Sequence, residues 1–118
     1  SESTAQAGPA SVASAASEAL ARLSVRLPDE PADRQIRMPA GPWSLALDDF
    51  LVTRMMEIAV HSDDLAVSVR IATPELPESV MAPVLDLLTR LSVRRHGQTP
   101  VLRALSRAER APATIAAL

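Results

Sequence analysis

Ten prolines punctuate this chain of 118 residues. Proline fixes φ near −65° and has no N–H to donate, so it ends a helix everywhere except in the first turn. The positions at 9, 28, 31, 39, 42, 74, 77, 83, 100 and 112 therefore leave few places for long helices. From Pro9 to Leu27, Val12, Ala16, Leu20, Leu23 and Leu27 recur at helical spacing, and Pro28 and Pro31 close that run. A second helix is expected from an Asp48 N-cap to about Arg70, ended by Thr73, Pro74 and Pro77. A third is expected from a Ser79 cap to about Arg95, with Val80, Val84, Leu87, Leu88 and Leu91 as its apolar stripe and Gly97 as its stop. Pro83 falls in its first turns, where it is tolerated. Thr99 and Pro100 open a fourth, short helix to about Ala111, and the apolar residues Ala113 to Leu118 are expected to dock.

Between the first two helices lies a Pro-, Asp- and Arg-rich loop. Gln35 to Met38 alternates and can form a short extended piece, and Trp43, Leu45 and Leu47 alternate likewise. Residues 1–8 read as a flexible N-terminal tail and residues 9–118 as one helical domain. The fold class that follows is all-α. Phe50 and Trp43 are the only aromatic residues, so aliphatic side chains, Met and Ala must build the core, which favours helix packed on helix.

The segment from Asp48 to Arg70 carries the chemistry. Leu51, Met55, Ile58 and Leu65 make one apolar row, and Val52, Met56, Ala59, Val60 and Val67 make another. A helix apolar over so much of its circumference is expected at the centre of a bundle. One polar strip interrupts it: Arg54, Glu57, His61 and Asp64, at spacings of three, four and three, share a face. A carboxylate and an imidazole four residues apart can reach one cation, and zinc accepts both donors at about 2.0–2.2 Å. Asp64 or Asp63 can hold the second imidazole nitrogen. The same four residues can equally form ion pairs on a solvated face, because Glu-x-x-x-His is common by chance. His96, the only other histidine, falls roughly 12 Å too far along an antiparallel helix pair to join the site and is expected to cap a helix end or make a surface contact. Arg103, Arg107 and Arg110 form a row on the last helix, read as a solvated face.

The run TRMMEIAVHSDDLA at Thr53–Ala66 resembles the hallmark of the mycothiol-dependent maleylpyruvate isomerase metal-binding domain, a member of the DinB-like superfamily. The Trp43 loop, Arg94–Gly97 and the ALSRAERAP at Ala104–Pro112 extend the resemblance over about residues 43 to 112. It implies a DinB-like four-helix bundle, present here in part, without the family's N-terminal helix. It implies Glu57 and His61 as ligands of a divalent metal, usually zinc, with a third ligand on that missing helix. It also implies a small thiol, mycothiol, as cofactor and an organic acid as substrate, in an isomerase or transferase reaction. Arg54 and Asp64 are then expected to support the metal ligands from behind.

Several classes are disfavoured. The net charge is −2, with no broad basic face for nucleic acid. There is no cysteine, hence no disulfide framework and no protein thiol nucleophile, and a reducing, cytoplasmic location is expected. No apolar run has the roughly 18–20 residues that a membrane span needs. Amphipathic helices in a chain 47% hydrophobic leave an apolar face to cover, so a homo-oligomer, or a further N-terminal segment completing the bundle, is expected. The alternative to the enzyme reading is a non-catalytic helical domain that oligomerises or binds a partner.

Overall fold

A computed structural model describes residues 1–118. The fold is predominantly α-helical. Helix α1 spans Glu2–Gln6, α2 Pro9–Arg26, α3 Leu47–Val69, α4 Glu78–His96 and α5 Gln98–Ser106. Two short 3₁₀ turns follow α2 and α5, at Leu27–Asp29 and Ala108–Arg110. Strands β1 (Gln35–Arg37) and β2 (Ser44–Ala46) pair antiparallel, with Ile36 opposite Leu45. The alternation before α3 thus becomes a two-stranded ribbon. No helix is long and apolar enough to cross a membrane.

The local causes are legible. Pro9 stands in the first turn of α2, where a missing N–H costs nothing. Helix α3 starts without a side-chain cap; instead the loop supplies acceptors, as Leu47 N–H donates to the Arg34 carbonyl (2.8 Å) and Asp48 N–H to that of Ala32 (3.0 Å). Asp48 is therefore not the N-cap but lies with Asp49 in the first turn, where negative charge favours the helix dipole. Arg70 closes α3 in the left-handed region at φ 60°. Helix α4 begins after Pro77, which takes the N-cap place two residues ahead of the expected Ser79, and ends at Gly97, whose φ of 94° suits glycine.

Within the N-terminal tail, Ser1 Oγ accepts from the Thr4 N–H and caps α1. One further expectation is corrected. Helix α5 stops at Ser106, because Arg107 is extended (φ −145°, ψ 106°), so Arg103, Arg107 and Arg110 do not share one helix face.

Helices α3 and α4 pack against each other, and α5 packs on α4. Met56 and Ala66 on α3, Val84 and Ser92 on α4 and Val101 on α5 are buried. The C-terminal segment docks as expected: buried Ser92 donates its hydroxyl to the Ile115 carbonyl (2.5 Å), and His96 Nε2–H donates to that of Ala116 (2.7 Å). Trp43 anchors its loop by lying over Gly41, where a Cβ would collide with the indole.

The core is small. Only six of 118 residues are buried. No Cα of α2 lies within 8 Å of any Cα of α3 or α4, so α2 stands off as an arm. A compact chain of this mass has a radius of gyration of about 13–14 Å and exposes about 6,200 Å². This one has 17.7 Å and exposes 9220 Å². Helix α3 is accordingly not enclosed by a bundle: Ile58 is 60% exposed, Leu65 67% and Val69 63%.

Candidate metal centre

The polar strip of α3 assembles around His61. Its Nε2 lies 3.0 Å from Glu57 Oε2 and its Nδ1 lies 3.1 Å from Asp64 Oδ2. The helix dictates this: residues three and four apart stand over one another, so the imidazole between two acids can reach both. Each carboxylate accepts, so both ring nitrogens donate, and the arrangement favours the imidazolium. The hydrogen bond to Asp64, then that to Glu57, raises the His61 pKa above its ordinary value. The cluster faces solvent, with His61 and Asp64 side chains 63% exposed.

The other residues of the motif go elsewhere. Arg54 touches neither Glu57 nor His61. Its guanidinium lies over the Phe50 ring, 5.3 Å from the centroid, and its Nε–H donates to Thr53 Oγ1 at 3.3 Å. Arg54 is thus withdrawn from the ligand-supporting place expected for it. A residue four positions after an aromatic has that ring as a ready alternative, and the Phe50–Arg54 spacing was the sequence signal for it. Asp63 accepts from the Thr73 hydroxyl at 2.6 Å and pins the α3–α4 connection, leaving Asp64 alone as the Nδ1 partner. His96, expected to cap a helix end or make a surface contact, is instead committed to the C-terminal segment through the Ala116 carbonyl.

Glu57 and His61 suit a cation as a pair. Two zinc ligands at tetrahedral geometry and 2.0–2.1 Å stand about 3.3 Å apart. At 3.0 Å, Oε2 and Nε2 are hydrogen-bonded to each other, so a metal would have to displace the Nε2 proton and turn both donors toward a shared point beside them. Asp64 on Nδ1 would orient the ring and raise its basicity once Nε2 carried a metal. No group of three or more His, Cys, Asp or Glu side chains able to hold a metal ion is assembled in the chain. The pair is therefore part of a ligand set and lacks the third protein donor of a catalytic zinc site.

Beside the strip runs an apolar groove of about 770 Å³ between α2 and the N-terminal half of α3. Leu20, Leu23 and Leu27 form one wall, and Leu51, Met55 and Ile58 the other. Both stripes are visible in the sequence. That they face each other across a gap is not, because periodicity marks an apolar face without saying what lies against it.

Comparison with known protein families, with characterised proteins and with solved structures finds no match to this chain.

Proposed function

We propose that this chain belongs to a divalent-metal-binding helical domain of the mycothiol-dependent isomerase or transferase type, with Glu57 and His61 as two of the metal's ligands. The observation that carries the reading is the 3.0 Å approach of Glu57 Oε2 to His61 Nε2, with Asp64 holding the opposite ring nitrogen. Such a set fits zinc by donor type. A bound divalent metal would favour the thiolate of a small thiol such as mycothiol, the stronger nucleophile toward an organic-acid substrate. A third ligand would come from a helix packed on the open side of α3.

Zinc titration of chelator-stripped protein tests this. Wild type is expected to shift the His61 ring resonances on binding, and Glu57→Gln and His61→Ala each to weaken affinity by at least about tenfold. Equal affinity in wild type and both variants would overturn the reading.

A second reading rests on a different observation. The exposed rows of α2 and α3 leave apolar surface of a size that isolated domains rarely carry. On this reading the chain is a helical association domain, and the strip on α3 is an ion-pair cluster at its rim.

A further inference from the structure

We propose that two copies of this chain pair about a two-fold axis, the C-terminal half of α3 from each copy lying in the α2–α3 groove of the other. The proposal deepens the association reading by naming the partner and the register, and it does not depend on bound metal.

The first support is area. The chain exposes about 3,000 Å² more than a compact chain of its mass. Extensive homodimer interfaces bury roughly 2,000–5,000 Å² over both copies, or about 1,000–2,500 Å² from each, which lies within the excess that each copy exposes.

The second is self-complementary shape. Each molecule carries both a receptor and an insert. The receptor is the groove lined by Leu20, Leu23, Leu51, Met55 and Ile58. The insert is the far half of the same α3 row, where Leu65 and Val69 are exposed. An isologous interface requires one surface that complements itself, and this row provides it. Residues 51, 55, 58, 62, 65 and 69 alternate spacings of four and three, the pattern of a seam between two helices. Reversed on itself about Ile58, the row sets Leu51 level with Leu65 of the second copy and Met55 level with His61, one residue short of Ser62. The arm α2 then covers Leu65 and Val69 of the second copy.

The third is charge. The strip beside the seam reads Arg54, Glu57, His61, Asp64. Antiparallel pairing about Ala59 sets Arg54 level with Asp64 of the second copy and Glu57 level with His61. The apolar and polar registers differ by one residue in the position of the axis, an offset of two residues, or about 3 Å, between the two helices. In a parallel two-fold pairing the two strips would fall on opposite sides of the seam and would not meet.

Sedimentation velocity of the full chain, with chelator present, is the test. The expected particle has about twice the 12.5 kDa chain mass. Leu65→Asp, at a side chain exposed within one copy, is expected to give a monomer of unchanged helical circular dichroism. Leu102→Asp, equally exposed but on α5, is expected to leave the pair intact. In this cysteine-free chain Ile58→Cys is expected to form an intermolecular disulfide under mild oxidation, because the axis brings the two positions together. Arg54→Asp is expected to weaken pairing several-fold, and adding Asp64→Arg to restore it. A folded wild-type monomer at tens of micromolar would overturn the proposal. So would a pair that survives Leu65→Asp, and so would failure of Ile58→Cys to cross-link.

Discussion

At the scale of single residues, His61 between two acids is the most informative group in the molecule. Its pKa is raised first by Asp64 and then by Glu57. The folded value thus lies above the unfolded one of about 6.5. The stabilisation from these contacts is complete below the unfolded pKa and is lost as pH rises through the folded value. Proton NMR titration is expected to show His61 titrating above His96-free peptide controls, and Asp64→Asn to bring it back toward the ordinary value. A His61 titration unaffected by Asp64→Asn would show that the Nδ1 contact is not made. Glu57, His61 and Asp64 were legible together because helical spacing alone stacks them. Arg54 was not, because the same spacing offered it both Glu57 ahead and Phe50 behind. Only the structure chooses the ring.

At the scale of elements, the breaks were legible and some ends were not. Pro28, Pro74, Pro77 and Gly97 act as the sequence leads one to expect, since their backbone restrictions hold in any surroundings. The start of α3 escaped because its first amides are satisfied by carbonyls of Ala32 and Arg34, far from any cap motif. The early end of α5 has no proline or glycine to announce it. The α3–α4 pair is the firmest part of the fold, centred on Val84, which is 0% exposed. Deleting its two outer methyls in Val84→Ala is expected to cost about 2 kcal/mol, read from the shift in urea midpoint. A shift near zero would mean that α3 and α4 repack freely.

At the scale of the whole molecule, the all-α class was legible and the openness was not. Composition and periodicity specify how much apolar surface must be covered, but not by which chain. A two-copy assembly ties stability to concentration, because dilution releases the folded partner. The melting temperature is expected to rise with protein concentration in wild type and to be constant in Leu65→Asp. Constancy in both would mean that each copy is stable alone. The arm has its own consequence. Helix α2 faces α3 only across the groove, and it is joined to the rest through a 3₁₀ turn containing Pro28, with Pro31 just beyond. Two residues of fixed φ narrow the directions open to the arm, while ψ at each remains a rotatable bond. Part of the entropy of placing its 18 residues is therefore removed before anything docks beneath it, and flexible residues at positions 28 and 31 would loosen the tether further.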